Sequence, residues 1–377
     1  MNPHVISAIL RRNLVAYFSN PTGYVFICVF VLLGSFAAFW PNAFFNDNLA
    51  NLDQLNKWLP FILLVFIPAI TMSIWAEEKR QGTDELLLTI PATDFDVVIG
   101  KYLAAVGIYT VSLAFSSICN LIVLSWLSAG DLDRGLFFTT YFGYWMVGLA
   151  MLAVGMAASF LTGNLTVGFV LGAIFNAPLV FAAMADSVAL PGWAAADLPH
   201  FTYEFKRLSI SEQFRDYAQG VITLSSIVYF VSLASVMLYL SMVFIGKRHW
   251  SGGRDGQTMG WHFLARFLCL LAIIFGANSF LRHHDRLRVD ATSEGLASLS
   301  PETRKLIKEL NPQSPLMVEA YLSESVPESY VPTRLDLLAK LRELEAISGD
   351  KVHVTIHDHM EPFSEDATRA EQQYNIR

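Results

Sequence analysis

Apolar residues fall along this chain in runs of about 20, the length needed to cross the ~30 Å hydrocarbon core of a bilayer. Seven such runs predict spans at about 23–40, 57–75, 98–127, 136–158, 165–185, 222–245 and 262–280. Ahead of them, Ile6, Ile9, Leu10, Leu14, Tyr17 and Phe18 recur at spacings of three and four beside Arg11, Arg12 and Asn13. That spacing predicts an amphipathic elbow helix over residues 1–20, lying along the cytoplasmic membrane surface. The segment is too polar for a signal peptide and is expected to stay on the protein. Asn20-Pro21-Thr22-Gly23 then turns the chain, because proline disfavours a helical conformation in the residue before it.

After Phe280 the pattern shortens to elements of ordinary globular length. Ser300-Pro301 predicts a cap and first turn for a helix over Glu302–Leu310, and Thr333–Ile347 predicts a second helix stopped at Gly349. Leu316–Leu322 and Val352–His357 read as strands. Strand, helix, strand is a parallel unit. Val318, Ala320, Leu322, Val352, Val354 and Ile356 are expected to need cover on both faces of such a sheet, which makes this segment the start of a larger domain. The fold class is therefore a polytopic α-helical membrane protein of about seven transmembrane helices, N-terminus inside, followed by an extracytoplasmic α/β segment. Its parts are the elbow at 1–20, a six-helix unit at 21–245, a cytoplasmic linker and seventh span at 246–280, and the tail at 281–377.

Composition agrees with two solvents. Of 377 residues 54% are hydrophobic and only 16% charged, where soluble domains carry about 25% charged. Residues 1–280 hold 16 acids and 14 bases, and the tail 17 and 12. A net charge of −7 without a basic face excludes a nucleic-acid partner. Lys and Arg set the orientation: nine lie in the N-terminus and in the loops at 76–101 and 246–266, against five in the opposite short loops. Arg282, Arg286 and Arg288 break this rule, as the flank of a long translocated domain can. Lys101 and Arg266 lie near cytoplasmic ends, where their heads are expected to snorkel to water. Cys28, Cys119 and Cys269 all lie in apolar runs and read as packing residues, with no disulfide framework. His357 and His359 share a strand face with His353 nearby, but no carboxylate or cysteine completes a zinc set, so no metal is expected.

The stretch Ala76-Glu77-Glu78-Lys79-Arg80-Gln81-Gly82-Thr83-Asp84-Glu85-Leu86-Leu87-Leu88-Thr89-Ile90-Pro91 carries the most information. Gly82 permits a tight reversal, and Glu85–Leu88 would make a short amphipathic helix offering leucines to a partner. The stretch resembles the cytoplasmic loop of type-2 ABC exporter permeases, in which Glu-Glu-x-x-x-Gly-Thr-x-Glu-x-Leu-Leu precedes a Ser/Thr-x-Pro turn and the third span opens near Gly-Lys-Tyr, here Gly100-Lys101-Tyr102. Arg12-Asn13-Leu14 with Tyr17-Phe18-Ser19-Asn20-Pro21, and Leu208-Ser209-Ile210-Ser211-Glu212-Gln213-Phe214, resemble the gliding-motility branch of these permeases. Arg288-Val289-Asp290, Leu299-Ser300-Pro301 and Val318-Glu319-Ala320-Tyr321-Leu322-Ser323 resemble, more loosely, the start of the auxiliary component of the same systems, fused here through the seventh span. The resemblance implies an ATPase-docking coupling segment at 76–94, carried by Glu77, Glu78, Arg80, Gly82, Thr83, Glu85, Leu86, Leu87 and Pro91. It also implies a dimer of membrane domains, a plasma (inner) membrane location and an envelope partner for the tail.

No Gly-x-x-x-x-Gly-Lys-Ser/Thr loop occurs in the sequence. This chain is therefore expected to bind no cofactor and to be no enzyme, with ATP and Mg used by a separate ATPase subunit. The centres of the spans hold no Asp, Glu, Lys or His, which argues against a secondary transporter. Asn120, near Ser116 and Ser117, and Asn176, before Pro178, are polar residues inside spans. They serve either as helix-to-helix hydrogen-bond glue, the favoured reading, or as the lining of a substrate route.

Overall fold

In the computed structural model, residues 2–39, 44, 51–83, 92–127, 132–182, 209–246, 254–283, 288–292, 299, 301–309, 316–322, 331–348, 351–357 and 371 are described. Helix α1 (Pro3–Phe18) is capped by Asn2, whose side chain accepts from the His4 N–H, and proline at its first position suits a turn with no partner for that donor. It meets α2 (Pro21–Ala38) at 77°. Helices α3 (Asp53–Gln81), α4 (Asp94–Leu127), α5 (Arg134–Ser159) and α6 (Leu165–Phe181) follow.

Helix α5 is the axis of the bundle: its most apolar stretch is 83% buried, against 33% for α4. Small residues make this possible, since they let neighbours approach closely. A Cβ at Gly148 would run into the ring of Tyr109, one at Gly155 into Thr71, and one at Gly143 into Phe214 and Tyr217. The outer faces of the other helices carry Phe115, Ile118, Ile122, Val170, Ile174 and Leu268, all exposed. In a chain with no apolar solvent this would be a liability; against lipid it is the normal surface.

A short amphipathic helix, α7 (Ile210–Ala218), leads through Gly220 into strand β1 (Val221–Thr223) and helix α8 (Leu224–Gly246). Helix α9 (Arg254–His283) packs on α8, with Asn278 Nδ2 3.4 Å from Ser232 Oγ, and ends before strand β2 (Arg288–Asp290). β1 and β2 pair antiparallel with Val221 opposite Asp290, Ile222 opposite Val289 and Thr223 opposite Arg288, and the Ala291 N–H donates to Gly220 O at 3.0 Å. This ribbon forces α8 and α9 to run in opposite directions. It fixes the start of the tail at the end of the bundle that holds α7 and the N-terminus of α5, opposite the α3–α4 connection.

The tail contains α10 (Pro301–Glu309), β3 (Leu316–Tyr321), α11 (Val331–Ser348) and β4 (Val352–His357). β3 and β4 are parallel, with Val318 beside Val354 and Ala320 beside Ile356. Arg304 and the buried Glu343, 2.6 Å apart, join α10 to α11, and Glu343 also accepts from the Leu299 N–H.

Several expectations need correction. Each of the seven expected runs is helical over most of its described residues: among these, five helices meet the length and apolarity of a span, six if the bent α1–α2 pair counts as one, and the shorter apolar α6 covers the remaining run. The described part of α6 is 17 residues long, about 25 Å at 1.5 Å per residue, and residues 183–185 of the expected run lie outside the described residues. The sixth run begins as strand, not helix, because Val221–Thr223 are taken up by β2. Helix α1 lies across the opening turns of α4, where a Cβ at Gly100 would stand 3.0 Å from Ile9 and one at Gly107 3.1 Å from Leu14. On its apolar side Ile9 is buried against α4, while Ile6, Leu10, Leu14, Tyr17 and Phe18 are half-buried. Cys28 and Cys269 are exposed on the outside of their helices, not packed within the bundle. The apolar tail residues do not need cover on two faces: Val318, Ala320, Val352, Val354 and Ile356 share one face of the sheet, the other carrying Met317, Glu319, Tyr321, His353, Thr355 and His357. The strand period of two and the in-register pairing place them so. The His357 ring stacks on Tyr321 with centroids 4.7 Å apart; His359 lies outside the described residues.

Candidate functional site: the polar end of helices α3 and α4

Helix α3 ends where glycine allows the chain to turn over. Gly82 adopts φ 67°, its N–H donating to Lys79 O and the Thr83 N–H to Glu78 O. This paired closure satisfies carbonyls that the helix end would leave bare, and it needs the left-handed conformation that glycine tolerates. Lys79 and Arg80 in the last turn oppose the negative end of the helix dipole. Helix α4 starts with a reciprocal cap: Thr93 Oγ1 donates to Asp96 Oδ2 at 2.8 Å and accepts from the Asp96 N–H at 3.2 Å. The Asn2 N–H reaches the other Asp96 oxygen at 3.0 Å, which brings the start of α1 to the same place.

Between these two helix ends stand the charges of the candidate docking segment. Arg80 Nη2 pairs with Glu77 Oε1 at 2.6 Å, and Gln81 Nε2 donates to the same oxygen. These side chains face outward, that of Arg80 being 58% exposed. Lys79 turns away, donating to Phe160 O and standing 3.9 Å from the centroid of the Phe160 ring. It thereby joins the end of α3 to the turn between α5 and α6. Ser159 reinforces that junction, accepting from the Trp75 and Ala76 N–H groups and donating to Met72 O.

Glu78 does not face outward. Its Oε1 takes Arg12 Nη2 at 2.6 Å and its Oε2 takes Lys101 Nζ at 2.6 Å. Lys101 is buried, not snorkelling: its side chain is 1% exposed. Its ammonium also donates to Ile74 O at 2.7 Å and lies 4.4 Å from the ring centroid of the buried Trp75. Snorkelling fails because α1, α3 and the indole close over the lysine and supply its partners in place of water. Sequence reading missed this set of Arg12, Lys101 and Asp96. The usable signal was a lone lysine one turn inside an apolar run, together with the Thr93-x-x-Asp96 cap spacing.

Of the residues assigned to the coupling segment, Glu77, Glu78, Arg80, Gly82 and Thr83 come together at this end. Glu85, Leu86, Leu87 and Pro91 lie outside the described residues. Asn120 and Asn176 are far from it and inside the bundle. Asn120 is fully buried, accepting from Ser35 Oγ at 2.9 Å and donating to Tyr141 Oη at 2.8 Å, so it ties α2, α4 and α5. Asn176, also fully buried, donates to Gly172 O at 2.9 Å and Met151 O at 3.4 Å, while its Oδ1 has no partner among the described residues.

Comparison with known families adds two matches. Residues 49–248, more than half of the chain, match the family model described as ABC-2 family transporter protein. Residues 293–377 match one described as Domain of unknown function (DUF7088). No curated protein matches the chain.

Proposed function

This chain belongs to the ABC-2 family of transporter proteins, membrane components that typically work with a separate ABC ATPase subunit, and on that premise we propose that it couples ATP hydrolysis by such a subunit to export across the plasma (inner) membrane. The observation that carries the reading is the connection between α3 and α4. It leaves one end of the bundle after the Gly82 closure, flanked by the exposed Glu77–Arg80 pair, and returns at the Thr93–Asp96 cap. A force applied there acts on the ends of two long helices at once. In this reading the partner, holding ATP and Mg, docks on Glu77, Arg80, Gly82, Thr83 and the following Glu85, Leu86, Leu87 and Pro91. Two copies of the membrane domain work as a dimer. The tail lies on the side opposite the ATPase, where it meets substrate or an envelope partner.

A second reading is favoured by the β1–β2 ribbon, which fastens the tail directly to the bundle. In it the complex is a scaffold of an envelope or gliding-type machine, and ATPase energy does mechanical work on the tail with no solute crossing. Co-expression with an ATPase encoded beside this chain, followed by detergent co-purification and ATPase assays in proteoliposomes, tests both. Activity stimulated by an envelope-directed solute supports export. A stable complex whose activity responds to no solute supports the scaffold, and failure of any ATPase to bind overturns both.

A further inference from the structure

The three helices at the docking end are held together unequally. Helix α1 packs closely on α4, with Ile9 against Gly100, Leu14 opposite Gly107 and the Asn2–Asp96 bond. Helix α3, by contrast, meets α4 sparsely and α1 hardly at all through backbone-level packing. The described polar links from α3 to that pair centre on one carboxylate: Glu78 on α3 gives one oxygen to Arg12 of α1 and the other to Lys101 of α4. Lys101 in turn grips α3 twice more, at the Ile74 carbonyl and over the Trp75 ring. Arg12 is half exposed and water competes for it, whereas Lys101 is sealed, so the two arms differ in strength. A carboxylate with both oxygens engaged and a side chain 14% exposed is poorly placed to meet a docking partner.

We propose that Glu78 and Lys101 are positioning residues for energy coupling: with Arg12 they clamp α1, the end of α3 and the start of α4 into one body, so that a displacement delivered at the 82–93 connection moves all three together. The proposal rests on the permease reading above. Glu77 and Arg80 then serve contact with the ATPase, and Glu78 serves transmission. Loss of the clamp leaves docking intact but lets the end of α3 move alone, and hydrolysis runs without moving α1 and α4.

The test uses the full chain with its co-purified ATPase in nanodiscs, native cysteines replaced, and spin-label pairs at Ala8→Cys with Gln81→Cys and at Leu103→Cys with Gln81→Cys. In the parent both distances should stay fixed between the nucleotide-free and the vanadate-trapped states. Glu78→Gln and Lys101→Met should each release both distances by several ångströms on trapping while the ATPase still co-purifies, because α1 stays packed on α4 and only α3 is freed. Arg12→Gln, which leaves the Lys101–Glu78 arm in place, should keep both distances fixed. A parent whose 8–81 distance changes on trapping, or Glu78→Gln and Lys101→Met variants that leave both distances fixed, would overturn the clamp. Should Lys101→Met fail to insert, Glu78→Gln still decides. If no ATPase binds the parent, the permease reading fails instead. The clamp is then judged on the chain alone, where Glu78→Gln must broaden both distributions and unbroadened ones refute it.

Discussion

Replacing Gly135 by alanine should unfasten the tail from the membrane bundle. A Cβ at Gly135, in the first turn of α5, would overlap the Ala291 carbonyl oxygen and come within 2.8 Å of the carbonyl carbon. Both obstacles are backbone, so no rotamer change relieves them. Either the α5 N-terminus, held by the bond from the Leu136 N–H to Asp133 Oδ1 at 2.9 Å, or the strand leaving β2 must move by on the order of 1 Å, enough to lose N–H···O bonds of ordinary length. The strand is the weaker side, since it is tied by a three-pair ladder and the Ala291–Gly220 bond. At about 0.5–1.5 kcal/mol net per bond, that attachment holds about 2–4 kcal/mol. At ~1.4 kcal/mol per tenfold, release should cut hydrogen-exchange protection of the 288–291 amides by on the order of a hundredfold. The amides of α3 and α5 should keep theirs. Unchanged protection at 288–291, or loss spread through the bundle, would refute the ribbon as the tail's local attachment.

Reversing the exposed docking charges, Glu77→Lys or Arg80→Glu, should abolish co-purification of the ATPase with normal membrane insertion, because like charges juxtaposed at an interface cost several kcal/mol; retained ATPase would remove these residues from the docking set. Asn120→Leu removes the bond from Ser35 Oγ and the bond to Tyr141 Oη, leaving that hydroxyl only Ser116 Oγ at 3.4 Å, and should lower stability by about 1–3 kcal/mol in a detergent melt, whereas an unchanged melt with lost transport would mark a substrate route. Asn176→Leu removes a side chain whose Oδ1 is already without a partner among the described residues, so it should be nearly neutral or stabilising in the same melt; a drop of more than about 2 kcal/mol would show that its Nδ2 bonds to Gly172 O and Met151 O outweigh the unpaired oxygen. Cysteines at Gln219 and Thr292 should react with an impermeant reagent added from one side of the membrane, and cysteines at Gln81 and Asn164 from the other. Labelling of Gln219 and Thr292 from opposite sides would undo the α8–α9 pairing.

What the sequence determined by itself is what local patterns carry. Runs of about 20 apolar residues announced the spans, alternation at Val352, Val354 and Ile356 announced β4, and the Gly82-Thr83 pair marked where α3 must end, because each effect acts within a few residues. The resemblance in the 76–91 stretch pointed to the transporter family for the same reason, being one contiguous string. The tertiary structure decided everything that depends on residues distant in the chain. β1 exists only because Arg288–Asp290 lies beside it; Val221–Thr223 on their own continue an apolar run and read as helix. The sheet's polar face became visible only when β3 and β4 were set in register. Glu78 looked like a surface charge and Lys101 like a snorkelling one. The fold closes α1, α3 and α4 around them, and once water is excluded two opposite charges 23 positions apart have no better partner than each other.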